Sequence, residues 1–313
     1  MVFEENWSVT EFLSSYGYEL GDAIGTGAFG SVWKLRTKAN RKEWAAKVIN
    51  LDRLNATERS MVEEEVATLT SIRHPHIVEV SEVLRTRNLI IIVMEYLRGG
   101  DLFDRLSIRL MSESQVVDIA SQILSAVAFL HERGIAHRDL KLENVVFATT
   151  PSSEKQVVKI IDFGYARKFK RDERATQKCG TESYMSPQVV TMTQYNPFSV
   201  DIWSIGVILY ALVTGRFPFF GKDLEKSIVH SPPSFHESQW RECSQEFTSI
   251  LLRLLSKSED GRLEAEQAAK CFEELRYIHS ARVRSRRPAQ KLSDSATKYK
   301  FDVTCSATPK IAV

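Results

Sequence analysis

Cysteine is scarce and unpaired in this chain. The four residues, Cys179, Cys243, Cys271 and Cys305, show no CxxC spacing, which argues against a zinc site or a disulfide framework and leaves reduced thiols as the expectation. Net charge is also nearly absent, at +2, so the whole molecule offers nothing for nucleic acid to follow. The charge is nevertheless uneven: eight Lys or Arg face two Asp from Ala281 to Val313, a basic tail on a mildly acidic body. No apolar run reaches bilayer length. The longest, Ile202 to Val213, is interrupted by Ser204 and Gly206, starts beside Asp201, and reads as a buried helix. The opening MVFEENWSVT carries acids and no long apolar core, unlike a signal peptide. These absences predict a cytoplasmic chain, with the nucleus left open and no membrane span. With 313 residues, 43% hydrophobic and 26% charged, it can bury one large two-lobed domain or two ordinary ones.

The stretch His137 to Asn144, HRDLKLEN, carries the densest chemistry. Asp139 can accept a proton, Lys141 can meet a phosphate, and Asn144 offers a hard oxygen to a divalent cation. Any one of these alone reads as a turn or cap residue. After the apolar run Val157, Val158, Ile160, Ile161 comes Asp162-Phe163-Gly164. Upstream, YELGDAIG, SVWKLRT and EWAAKVI form an antiparallel strand meander. Between its first two strands lies Gly25-Thr26-Gly27-Ala28-Phe29-Gly30, followed by Ser31 and Val32. A GxGxxG that binds a dinucleotide opens a helix, whereas this one leads into a strand, favouring a phosphate-covering hairpin over that reading; a glycine-rich hairpin without a ligand is the alternative.

A helix is expected from about Thr57 to Ile72, capped by Asn55 or Thr57, with Val62, Val66, Leu69 and Ile72 on its buried face. Two more strand signals, HIVEVSEV and LIIIVMEYL, complete five strands, and helical character follows GGDLFDRL. A long helix is expected from Glu113 to Arg133, then a short strand at Val146 and Phe147. The run to about Tyr16 reads as a short helix, and beyond Ser280 the composition reads as a flexible tail.

In combination, HRDLKLEN, DFG, the glycine hairpin and WAAKV resemble the eukaryotic protein kinases, over about Tyr18 to Ile278. GGDLFDRL, DFGYARKF and GVILYALVTGRFPFF are most similar to the calcium/calmodulin-dependent group, and Lys141 and Thr181 match the serine/threonine branch. The resemblance implies an α+β bilobal fold: an extension at 1–17, an N-lobe at 18–97 with five antiparallel strands and one helix, a mainly helical C-lobe at 98–280, and a tail at 281–313. It implies ATP and Mg²⁺ as cofactors. Ile24, Gly25, Thr26, Gly27, Ala28, Phe29, Gly30, Ser31 and Val32 would cover the nucleotide, with Ala45, Met94, Glu95, Leu97 and Val146 around the base. Lys47 would meet the α and β phosphates and pair with Glu65, the acid in register with Val66 and Leu69, with Glu64 as the alternative register. Asn144 and Asp162 would ligate Mg²⁺, Asp139 would accept the hydroxyl proton, and Lys141 would steady the γ-phosphate. Asp101 and Glu143 would select basic residues upstream of the phosphosite, Thr181 would contact substrate, and Asp201 would hold the catalytic loop's backbone.

The chain departs from that pattern in three places. Gln177 stands where a phosphothreonine is usual, so Arg138 either meets a phosphate on Thr176 or the loop is ordered without one. Gln188 replaces an acid that normally pairs with Arg262, which implies a weaker link. The last motif lacks a His-Pro-Trp ending. Ala268, Phe272, Leu275 and Ile278 lead into ARVRSRRPAQK, read either as a calmodulin-binding or autoinhibitory segment or as a last core helix with a solvated basic tail. A pseudokinase scaffold is the alternative to an active kinase, and a small-molecule kinase is a third reading, disfavoured by Thr181 and Asp101.

Overall fold

Alternation along the third strand decides the architecture. In a computed structural model of the chain, which describes residues 8–285 apart from 28, 151, 152, 154 and 237, five antiparallel strands pair in the order β1-β2-β3-β5-β4. They are β1 (Tyr18–Thr26), β2 (Gly30–Thr37), β3 (Glu43–Asn50), β4 (Val80–Arg85) and β5 (Leu89–Glu95). Ala46 and Val48 of β3 pack with Leu35, Leu84, Ile91 and Val93 on one face. Ile49 joins the opposite core with Ile90 and Ile92, and Lys47 shares its side of the strand. The outer face is covered by α1 (Val9–Ser15), whose Phe12 and Leu13 are buried in that cluster. A reciprocal Ser8–Glu11 capping box starts this helix.

The inner face receives α2 (Ala56–Ser71), started by an Asn55–Glu58 capping box. Val62, Glu65, Val66 and Leu69 are its buried residues. Asn55 is therefore the cap, and Ile72 lies just past the last turn. The HIVEVSEV strand is shorter than expected: it begins at Val80, and Ile77 contributes only an isolated bridge to Ile160.

The second lobe comprises α3 (Leu102–Ile108), α4 (Glu113–Glu132), β6 (Ile135–Ala136), β7 (Val145–Phe147), β8 (Val158–Ile160), β9 (Arg167–Lys168), α5 (Pro187–Val190), α6 (Pro197–Thr214), α7 (Leu224–His230), α8 (Gln245–Leu254) and α9 (Ala265–Ser285). Two short antiparallel pairs, β6 with β9 and β7 with β8, frame the loops between them. The helix α6 is longer than the apolar run that marked it. Its length and composition match a membrane-crossing helix, yet 94% of that window is buried inside the fold. Gly206 permits this: a Cβ there would lie 2.9 Å from Leu255 Cδ2.

The end of the chain differs from expectation. The helix α9 continues to Ser285, past the expected boundary at Ser280, and within it His279 Nε2 meets Glu113 Oε1 at 2.9 Å. Ala268, Phe272 and Leu275 are buried against the core that includes α4, so the stripe that invited a calmodulin reading is a core face. Ala28, Cys305 and the basic tail beyond Ser285 lie outside the described residues.

If α1 is part of the folded N-lobe, Leu13→Ala should cost about 3 kcal/mol of unfolding free energy, the scale of a buried leucine deletion. Tyr277→Ala, at a side chain 69% exposed, should change it by less than about 0.5 kcal/mol. Urea titration of both variants checks the contrast.

Candidate active site

The cleft between the lobes collects the polar groups that the sequence singled out. Lys47 is 4% exposed, and its Nζ lies 2.6 Å from Glu65 Oε1 and 3.0 Å from Asp162 Oδ1. Glu64 faces solvent, and Glu63 is bound by Arg85 at 2.7 Å, so the register is that of Glu65. Burial works against the Lys47 ammonium, but the two carboxylates outweigh it and hold its pKa above the ordinary lysine value. Asp162 is likewise pushed up by burial and brought below the usual aspartate value by Lys47. The glycine turn is a strand hairpin: Gly27 N donates to Gly30 O at 2.8 Å. A Cβ on Gly30 would stand 2.2 Å from the Val48 carbonyl oxygen, so this position requires glycine.

Asp139, Lys141 and Asn144 converge on the loop after β6. Asn144 Nδ2 donates to the Asp139 carbonyl at 2.8 Å. Thr181 Oγ1 donates to Asp139 Oδ1 at 2.9 Å and accepts from Lys141 Nζ at 3.1 Å, while Lys141 also lies 3.2 Å from Asp139 Oδ2. The loop is pinned by Asp201, which is fully buried in α6. Its carboxylate accepts from His137 N at 2.9 Å and Arg138 N at 2.7 Å and contacts His131 Nε2 at 2.8 Å. Burial raises the Asp201 pKa, and these donors, His131 foremost, bring it below the aspartate norm. Arg138 and Asp162 both take left-handed backbone, φ 65° and 58°. His137 and Phe163 are buried and pack edge to face at 4.9 Å, and the His137 ring accepts from Asp139 N at 3.3 Å.

Around the expected base pocket, Ala45 pairs with Met94 across β3 and β5, and Val146 lies on β7 beside Asp101. Val32 and Ser31 sit on β2 opposite Lys47 and Val48, and Leu97 is half-buried in the lobe linker. Ile24 is exposed on β1, with Gly25 and Thr26 after it. The Glu95 side chain is engaged by Lys159 Nζ and by Glu79 N, so what position 95 has to offer a base is its backbone, the hinge role that the resemblance implies. Phe29 is packed against the core and lies 3.5 Å from where a Cβ on Gly164 would be. Asp101 caps α3 through Asp104 N at 2.7 Å. Burial, then the neighbouring Asp104 and Glu143, raises its pKa, which marks a negative patch.

Two tyrosines escaped sequence reasoning. Tyr184 places its hydroxyl by Leu142 N and Glu143, and Tyr195 bonds the segment before Gly180. Neither lies in a periodic pattern, and no local signal marks them. Arg138 is buried, with Nε on the Tyr165 carbonyl at 2.9 Å, while Thr176 faces solvent. Gln188 does reach Arg262, at 2.5 Å.

Comparison with known sequences agrees with this geometry. A family model for the protein kinase domain matches residues 18–272. A probable serine/threonine-protein kinase, fhkC, of Dictyostelium discoideum is 34% identical over 275 residues, covering 85% of this chain and 46% of that protein. CBL-interacting serine/threonine-protein kinase 13 of Arabidopsis thaliana is 34% identical over 247 residues, 78% of this chain and 47% of its own length. A probable myosin light chain kinase of D. discoideum is 32% identical over 257 residues, covering 81% and 65%. The chain thus spans about half the length of the first of these relatives.

The pinning role of Asp201 has a pH signature. Asp201 and Asp162 sit below their unfolded pKa near 3.9, so the stability they lend is full above about pH 4 and is lost as pH falls through their lowered folded values. Asp201→Asn should lower unfolding free energy by about 3 kcal/mol at neutral pH and flatten the acid limb. Denaturant titrations from pH 7 to pH 3 measure both; an unchanged acid limb would contradict the assignment.

Proposed function

The chain belongs to the protein kinase family, and on that premise we propose that it transfers the γ-phosphoryl group of ATP to serine or threonine hydroxyls of protein substrates. The observation that carries this reading is the convergence of Asp139, Lys141, Asn144 and Thr181 below the Lys47, Glu65 and Asp162 contacts. Phosphoryl transfer asks a protein mainly for positioning and charge neutralisation, and these groups supply both.

The donor set fits a nucleotide-bound magnesium ion. Among the described residues no three His, Cys, Asp or Glu are grouped to hold a metal alone. One carboxylate, Asp162, and the amide oxygen of Asn144, whose nitrogen is fixed on Asp139, suit an ion that takes its remaining ligands from phosphates and water. Magnesium bound there would neutralise the phosphate oxygens as charge moves onto the leaving group. Lys47, oriented by Glu65, presents its ammonium to the α and β phosphates. Asp139, held by Thr181 and Lys141, orients the substrate hydroxyl and accepts its proton. Lys141 steadies the γ-phosphate.

A basic residue two or three places before the acceptor is the preference we assign, through the negative patch at Asp101 and Glu143. Gln177 and Gln188, which raised a scaffold without turnover, leave all the contacts above intact, so catalysis is favoured over binding alone. On this reading its substrates are proteins and its place is the cytoplasm.

Incubation of the chain with Mg-ATP and a positional peptide library tests it. Wild type should incorporate phosphate into peptides carrying upstream Arg or Lys. Asp139→Asn should lower kcat by about 100- to 10,000-fold, and Asp162→Ala should abolish transfer. Asp101→Ala with Glu143→Ala should cut the preference for the basic residue by about tenfold without changing ATP affinity. A proline-directed or acidic preference would overturn the specificity, and no incorporation by wild type would overturn the activity.

A further inference from the structure

The segment from Gly164 to Gly180 is anchored at its start by the pairing of β9 with β6 and by the buried Phe169. Further on, its side chains reach the lobe through charges near the surface: Arg174 meets Glu259 at 2.6 Å and Lys178 meets Glu225 at 2.8 Å. Solvent-facing ion pairs of this kind order a loop only weakly. A buried contact near Gly180 differs from them. Tyr195, in the turn before α6, is 1% exposed, and its backbone pairs with Ala175 in both directions, at 2.8 and 3.0 Å. Its hydroxyl donates to the Gln177 carbonyl at 2.7 Å, which leaves it to accept from the Cys179 thiol at 3.9 Å.

One ring therefore ties residues 175, 177 and 179 immediately before Gly180 and Thr181. Gly180 has φ 93°, and a Cβ there would stand 2.7 Å from the Arg138 carbonyl, so the chain passes directly over the catalytic loop. Thr181 then delivers its hydroxyl to Asp139. Arg138, the residue a loop phosphate would need, is 5% exposed, with Nε on the Tyr165 carbonyl and its guanidinium 5.3 Å from the Phe169 ring centroid. Its Nη1 is buried without a hydrogen-bond partner, which is the one observation that favours a phosphate. Thr176, however, faces solvent.

Resting on the phosphoryl-transfer reading, we propose that Tyr195 is a positioning residue that orders this segment in the unphosphorylated chain, holding Thr181 against Asp139 so that turnover needs no phosphate on Thr176. The strap does the work that a phosphothreonine would otherwise do, with a neutral hydroxyl and two backbone hydrogen bonds in place of a charge cluster.

The test uses the full chain, freed of phosphate by a phosphatase and checked by mass. Its kcat/KM on an Arg-containing peptide, and that of Thr176→Ala, should stay within about threefold of the untreated protein, since neither change touches the strap. Tyr195→Phe keeps the ring and the backbone pairing but loses the bond to Gln177. It should raise the peptide KM about fivefold with the ATP KM unchanged, and speed tryptic cleavage after Arg171, Arg174 or Lys178 by a similar factor. A larger loss of kcat/KM on dephosphorylation or in Thr176→Ala would overturn the proposal. So would Tyr195→Phe matching wild type in both readouts. If no form of the chain incorporates phosphate, the activity reading falls separately, and the tryptic comparison still decides whether Tyr195 orders the segment.

Discussion

A single buried carboxylate sets the geometry of the catalytic loop. Asp201 lies fully buried in the second turn of the largely apolar α6, where an unpaired charge would be strongly unfavourable. It is tolerable because three donors meet it: the amides of His137 and Arg138 and the ring of His131. The same bonds hold Arg138 in left-handed backbone, a conformation that costs about 1–2 kcal/mol for a residue with a Cβ. Hydrogen bonds to a charged acceptor contribute about 1.5–3 kcal/mol each, so two of them outweigh that strain. The reversal at Arg138 then turns Asp139 toward Thr181 and Lys141. The loop's chemistry is thus dictated from beneath, by a residue more than sixty positions away that touches no substrate.

The other half of the site depends on a contact that spans the cleft. Lys47 belongs to β3 and Glu65 to α2, both in the first lobe, but Asp162 follows β8 of the second. Two carboxylates around one ammonium leave an excess negative charge in the cleft, on Asp162, the residue proposed above as a metal ligand. That arrangement suits a cationic guest between Asp162 and phosphate, and it makes closure of the lobes and loading of the site mutually supportive. The position of Lys47 is fixed from behind as well. Its neighbours Ala46 and Val48 are clamped on the opposite face by Phe12 and Leu13 of α1, so strand alternation converts a hydrophobic contact on the outside into a fixed ammonium on the inside.

Much of this was legible in the sequence, for identifiable reasons. The glycine hairpin, the HRDLKLEN loop and the DFG turn are contiguous, so their chemistry is written in consecutive residues. Glu65 is preferred to Glu63 and Glu64 because an acid followed by Val66 and then Leu69 matches the family pattern, and the contact with Lys47 is what excludes the Glu64 register. The hidden parts are tertiary. The hydroxyl bonds of Tyr195 and Tyr184, and the Lys159 contact that holds the Glu95 side chain, join residues 18 to 64 positions apart with no periodic trace. The anchor of α9 on α4 is equally remote: His279 meets Glu113, 166 residues upstream.

Gln188 shows how a departure from a family pattern can be absorbed without loss of order. Arg262 is buried among neutral acceptors: the Ser256 carbonyl at 2.8 Å, Ser199 Oγ at 2.8 Å and Gln188 Oε1 at 2.5 Å. Burial lowers its pKa to about 10, which still leaves it charged at neutral pH. A carboxylate at position 188 would add Coulomb attraction, but much of that would be offset by its own desolvation. The amide instead offers two different ends. Its oxygen accepts from Arg262 while its nitrogen donates to the Lys257 carbonyl at 2.6 Å, a place where a carboxylate oxygen would meet another oxygen. The link expected to be weak is therefore a two-ended bridge that fixes the close of the segment to the base of the lobe. Because Asp139, Asn144 and Asp162 are positioned by other contacts, the neutral residue at 188 gives no physical reason to doubt turnover.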